Sequence, residues 1–189
     1  MDKILVVCSS EKGRKVYSDN LKSMGYIHID TENNGAAARR RLIEEDYNII
    51  IIDTPLKDEL GSDLAVEISQ KGSSGVVLFV KAIEADMIGS RVEEQGVFVI
   101  PKPFTKSIFY QGVKFVFTSV KKFSMLKQEK NKLIKQVEDI KKVDRAKCLL
   151  IQYNKMTEEQ AHRYLEKQAM DLRISRRAVA DKIINYFEV

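Results

Sequence analysis

Asn48-Ile49-Ile50-Ile51-Ile52-Asp53-Thr54-Pro55-Leu56-Lys57-Asp58-Glu59-Leu60-Gly61 decides the fold of the larger part of this chain. Successive side chains of a strand point to opposite faces, so four isoleucines in a row demand burial on both. A strand of that kind belongs in a parallel sheet covered by helices on each side. The run ends at a carboxylate, Asp53, and passes into a loop punctuated by Pro55 and Gly61, which places the acid at the carboxyl edge of the sheet. Working outward, residues 4–8, 26–29, 76–80 and 97–100 are also short, apolar and rich in β-branched residues, and longer stretches of helical pattern separate them.

Five such units predict a flavodoxin-like (βα)5 domain with a parallel five-stranded sheet. Ligands of that fold sit at the carboxyl ends of the strands, at the switch point between the first and third. The spacing from Asp53 to Gly61, with Pro101-Lys102-Pro103-Phe104 after the fifth strand, resembles the receiver domain of two-component response regulators. By that resemblance Asp53 stands at the phospho-acceptor position and Lys102 at the lysine that contacts the acyl phosphate. Other parts of the machinery differ. Where receivers carry a pair of acidic metal ligands, this chain has Val7-Cys8-Ser9-Ser10, and its first carboxylate thereafter is Glu11. Hydroxyls and a thiol are poor ligands for Mg²⁺, so no cofactor is expected beyond a weak Mg²⁺ site at Asp53. Where the family needs a Ser or Thr after the fourth strand, Val80-Lys81-Ala82 supplies a lysine. Asp53 is expected to pair with Lys102 or with Lys81, the second pairing holding a pseudo-receiver in one state, with a sensor kinase or a regulatory protein as the partner of this domain.

At 189 residues the chain holds one core-bearing domain and something smaller. Cys8 and Cys148 lack metal-ligand spacing and read as two reduced thiols. No apolar run approaches a membrane span, and Met1-Asp2-Lys3 leads directly into a strand pattern, so a cytoplasmic protein with no membrane partner is expected. Charge is unevenly placed: residues 1–104 carry 13 Lys+Arg against 17 Asp+Glu, residues 105–143 carry 10 against 3, and residues 144–189 carry 9 against 7. A basic segment joined to an acidic domain suits a polyanionic partner, although a lysine-rich helix also serves as a plain solvated face.

The chain divides by this reading into residues 1–106, 107–143 and 144–189. In the middle segment Val116, Phe123, Lys130 and Val137 fall at one heptad position and Ser119, Leu126, Leu133 and Ile140 at the other, an a/d seam with polar interruptions. It predicts a parallel coiled-coil homodimer through residues 116–140, Lys130 weakening the coil while fixing its register. The competing reading is a single helix packed back on its own sheet domain.

Residues 144–189 read as three helices, 144–153, 157–171 and 175–187. Thr157 followed by Gln160 is a capping-box start, and Ser175 is a third N-cap. Leu149, Leu150, Met156, Ala161, Leu165, Ala169, Val179, Ile183 and Phe187 are the expected core, with Met170 also packing. The Ala146-Lys147, Leu149-Leu150, Thr157-Glu158-Glu159-Gln160-Ala161, Leu165 and Ala169-Met170 positions resemble the ANTAR domain, an RNA-binding output module of antitermination regulators; Cys148 departs from the glycine usual there. The resemblance implies binding to tandem hexaloop hairpins in a leader mRNA, stabilising an antiterminator over a terminator. The exposed set offered for this is Lys147, Gln152, Tyr153, Arg163, Tyr164, Lys167, Arg173, Arg176, Arg177 and Lys182, with Lys155 beside them. Cations neutralise phosphates, and tyrosine or arginine planes stack on splayed bases. Two rivals stand: a DNA-binding response regulator using the helices as a helix-turn-helix, and a scaffold that dimerises through the coil. Neither break in the module contains the glycine common in a helix-turn-helix turn. No catalytic triad, phosphate loop or metal cluster is legible, so an enzyme is not expected.

Overall fold

The computed structural model describes residues 2–72 and 74–188. They fall into two compact units, Met1–Met125 and Leu126–Val189.

The first unit is built on β1 (Lys3–Cys8), β2 (His28–Glu32), β3 (Ile49–Asp53), β4 (Gly75–Lys81) and β5 (Val97–Lys102), with α1 (Glu11–Ser23), α2 (Gly35–Glu44), α3 (Ser62–Lys71), α4 (Ala85–Val92) and the first turns of α5 (Lys106–Asn154). The strands run in parallel in the order β2-β1-β3-β4-β5, the flavodoxin-like arrangement. Ile49, Ile50, Ile51 and Ile52 are each 0% exposed. Ile50 and Ile52 join Leu5, Val7, Leu64 and Leu78 on one face, while Ile49 and Ile51 join Ile4, Val6, Phe79 and Phe109 on the other. Burial of each is worth about 1.5–3 kcal/mol, which is why this strand sits at the centre of the sheet.

Two boundaries differ from expectation. The second strand begins at His28, not at residue 26: Tyr26 lies before it, its ring edge-on to Phe117 at 5.6 Å. More important, the helix after β5 is not a separate connector from its start. Phe109, Val113 and Val116 are buried in the core of the sheet domain. Gly75 makes this close approach possible, because a Cβ there would lie 2.4 Å from Val116 Cγ1 and 2.6 Å from Val120 Cγ2. Val116 therefore leaves the heptad seam, and the first unit extends beyond the boundary expected at residue 106. Packing back on the sheet domain describes these first turns; Phe123, in contrast, is 60% exposed.

In the second unit the helix expected over 144–153 is the continuation of α5, since no Gly or Pro interrupts the chain between Gly112 and Asn154. It packs with α6 (Glu158–Leu172) and α7 (Arg176–Phe187) around Ala146, Leu150, Ala161, Leu165, Val179 and Ala180. Three alanines in that core let the helices approach closely. Thr157 Oγ1 accepts from the Gln160 amide at 3.2 Å and the Gln160 side chain accepts from the Thr157 amide at 2.9 Å, the reciprocal capping box. Ser175 caps α7 through the Ala178 amide, 3.2 Å. Met170 is 77% exposed, not packed, because it faces away from the stripe of Ala161, Leu165 and Ala169. No helix among the described residues is long and apolar enough to cross a membrane.

Candidate functional site

The carboxyl edge of the sheet brings Asp53, Cys8 and Lys102 together. Parallel pairing sets Cys8 opposite Asp53 across β1 and β3, and β5 delivers Lys102. Lys102 Nζ donates to Asp53 Oδ1 at 2.6 Å and to the Thr54 carbonyl at 2.5 Å. The Cys8 thiol donates to Asp53 Oδ2 at 3.2 Å. Burial, reinforced by the neighbouring Asp53, pushes the Cys8 thiol up to about 11, so at neutral pH it is the protonated donor this geometry needs. Tyr17 is raised as well, first by burial and then by Asp53. Next door, Ser9 Oγ donates to the Pro55 carbonyl at 2.9 Å, and Arg14 Nη1 donates to the carbonyls of Cys8 (2.7 Å) and Ser9 (3.2 Å). These three donors, Cys8, Ser9 and Arg14, escaped the sequence reading; Cys8 and Ser9 were visible there only as missing acids.

Lys81 does not pair with Asp53. It is exposed at the end of β4, where Val80 points inward and its own side chain faces solvent, and Lys102 makes the ion pair in its place. The loop after β3 is fastened to α2. Asp58 accepts from the Gly35 and Ala36 amides at 2.8 and 2.9 Å, which holds its carboxyl below the usual range, and Arg39 bonds Glu59 and Glu67. Gly61 starts α3 at a φ of 89°, a conformation that suits glycine and explains its place in the loop.

The groups meeting Asp53 and its flanking loops are a thiol, a hydroxyl and two cations. Mg²⁺ takes several oxygen ligands and prefers carboxylates, so this set does not fit it. Among the described residues no group of three or more His, Cys, Asp or Glu could hold a metal ion.

On the helical bundle the exposed residues sort by partner. Lys147 lies 2.9 Å from Asp144 and 3.5 Å from Glu158, with its side chain only 17% exposed. Arg163 pairs with Glu159 at 2.6 Å and Arg176 with Glu166 at 3.3 Å, which His162 also meets. Arg177 is a clip within the bundle: it bonds Asp139 of α5 and lies 3.7 Å from Asp181, which Lys142 also holds. Tyr153 stacks on Phe187. Gln152, Tyr164, Lys167, Arg173 and Lys182 are exposed, and the cations among them make no ion pair with a described residue. Arg163, Tyr164 and Lys167 share one side of α6, Arg163 and Lys167 being one turn apart. Arg173, at a φ of 51°, ends α6 in the left-handed region.

The family model of the response regulator receiver domain matches residues 4–114, and that of the ANTAR domain matches residues 131–184. The chain belongs to the response regulators, with a receiver domain followed by an ANTAR domain, a class of transcription regulators in two-component signalling. The transcriptional regulatory protein PdtaR of Mycobacterium tuberculosis is 24% identical over 167 residues, 88% of this chain and 82% of that protein. Among solved structures, a two-component response regulator from Clostridium difficile aligns with a TM-score of 0.55 at 23% identity, covering 62% of this chain and 97% of that one. The response regulator TrrA from Thermotoga maritima, solved with Mg²⁺ and BeF, aligns at 0.54 and 24% identity, covering 61% and 99%. At those identities the solved structures speak for the fold alone.

Proposed function

We propose that this chain is an antitermination regulator: its ANTAR bundle binds tandem hexaloop hairpins in a nascent leader mRNA and stabilises an antiterminator over an overlapping terminator. The observation that carries the reading is the match to the ANTAR domain over residues 131–184. Exposed cations with no ion pair among the described residues support it, Lys167 on α6 and Lys182 on α7, with Arg173 at the break between them. Binding energy then shifts a folding equilibrium of the RNA by as much as the protein prefers one hairpin over the other, with no bond made or broken. Arg163 and Arg176 join the surface by exchanging an exposed carboxylate partner for phosphate, which costs little because exposed pairs contribute roughly 0–1 kcal/mol. Arg177 and Lys147 serve it more as supports, since their acids tie them to the bundle.

The receiver controls this output as a pseudo-receiver. Its own side chains occupy both oxygens of Asp53, and a partner protein reads that fixed face in place of a phosphorylation signal. Sequencing RNA crosslinked to the full chain tests the output. Enrichment of paired hairpins with six-nucleotide loops beside terminators supports it, and recovery of no RNA beyond bulk ribosomal and transfer species refutes it.

A further inference from the structure

The C-terminal ends of α5 and α7 carry three aromatic rings in contact, two of which the bundle core does not absorb. Tyr153 lies face to face with Phe187, centroids 5.0 Å apart and planes 9° from parallel. Tyr186 meets Phe187 edge-on at 4.9 Å and 87°. Phe187 packs against the core and anchors the set, yet Tyr153 is 54% exposed and Tyr186 80%. A small bundle has few large apolar groups to bury, and leaving two rings in water forgoes stability the fold could use. Neither tyrosine hydroxyl has a hydrogen-bond partner among the described residues.

The charges nearby leave a positive excess. Glu158 is matched by Lys147, Glu159 by Arg163 and Glu188 by Arg145, whereas Lys155 and Lys182 have no acidic partner among the described residues. Lys182 precedes Tyr186 by one helical turn on the same side of α7. Rings held by their neighbours, with unpaired ammonium groups close in sequence, match the chemistry by which single-stranded nucleic acid is held: a base stacks on the π-face and a cation takes the adjoining phosphate.

We propose that Tyr186 is a base-stacking residue for an unpaired loop nucleotide of the RNA, with the Tyr153–Phe187 pair fixing its ring and Lys182 taking the neighbouring phosphate. The proposal rests on the RNA-binding reading above and extends the contact surface to the end of α7. The full chain is titrated against a two-hairpin RNA with hexanucleotide loops, 2-aminopurine replacing each loop base in turn. Wild type is expected to quench fluorescence at one loop position. Tyr186→Ala loses that quench and binds about 10-fold more weakly, the order of one lost stacking contact, with its salt dependence unchanged. Tyr186→Phe keeps both, and Tyr186→Leu, apolar but without a π-face, behaves like Ala. Lys182→Ala instead lowers the salt slope by about one. Quenching and affinity of Tyr186→Ala equal to wild type overturn the proposal while leaving RNA binding intact. A Tyr186→Ala change confined to the mass in light scattering assigns the rings to a second copy and overturns it too. If wild type binds this RNA no better than duplex DNA, the RNA-binding reading itself fails and the stacking role falls with it.

Discussion

Both carboxylate oxygens of Asp53 accept hydrogen bonds from the protein's own donors, Lys102 on one and Cys8 on the other. Lys102 stands where the receiver resemblance puts it, but Cys8 and Ser9 turn the acidic edge of β1 into a pair of donors. Proton donors then meet the acceptors that a cation would otherwise face, and Arg14 adds a positive charge that a nearby metal would have to oppose. Incubation with acetyl phosphate and Mg²⁺ is expected to leave the intact mass unchanged. The paired substitutions Cys8→Asp and Ser9→Asp are expected to restore a metal site and with it a phosphoryl adduct. Stoichiometric phosphorylation of the wild type, lost in Asp53→Asn, would contradict the pseudo-receiver. That Asp53 and Lys102 lie together at the carboxyl edge of the sheet was legible, since each closes a strand at a recognisable spacing. The Cys8 contact was not, because which residue of β1 lies opposite Asp53 depends on register between two strands distant in the chain.

Among the elements, β3 and α6 were the plainest to read, for different reasons. Ile49, Ile50, Ile51 and Ile52 admit one environment, a strand buried on both faces. Thr157 and Gln160 carry a reciprocal pair of hydrogen bonds that requires only local geometry. Removing the cap hydroxyl leaves an amide of the first turn without its partner and costs about 1 kcal/mol. Thr157→Ala should therefore lower hydrogen-exchange protection across α6, while Thr157→Ser should keep it; equal protection in the Ala variant would remove the cap from the stability of this bundle. The extent of α5 was harder to read. A heptad counts apolar positions without regard to what covers them, and Val116 satisfied the count while packing against Gly75 in the sheet domain. Arg177 was misplaced for a related reason: composition marks it as a surface cation, and only the approach of α7 to α5 brings it to Asp139.

At the scale of the whole molecule two uncovered surfaces call for partners. Along α5, Phe123, Leu126, Leu133, Val137 and Ile140 are 52–60% exposed and recur at heptad spacing. Exposed large apolar groups repeated in this way mark an association face. The homodimer is proposed to form through this seam, beginning at Phe123, with Lys130 limiting its strength. Multi-angle light scattering should give the mass of two chains for wild type and of one chain for a Leu126→Glu, Leu133→Glu variant; a wild-type mass of one chain at every concentration would contradict the seam. Such a dimer would present two ANTAR bundles, and engagement of paired hairpins would then gain from effective concentration. The second surface, the cations of the bundle that have no ion pair among the described residues, supports the central claim, that this regulator acts on RNA. The most direct test is a gel-shift titration of the full chain, at one stated salt concentration, against a tandem-hairpin leader RNA, a single hairpin and a duplex DNA of equal charge. The predicted order is tightest for the tandem hairpins, weaker for the single hairpin, and weak, sequence-independent binding for DNA; equal or tighter binding to the DNA would contradict it.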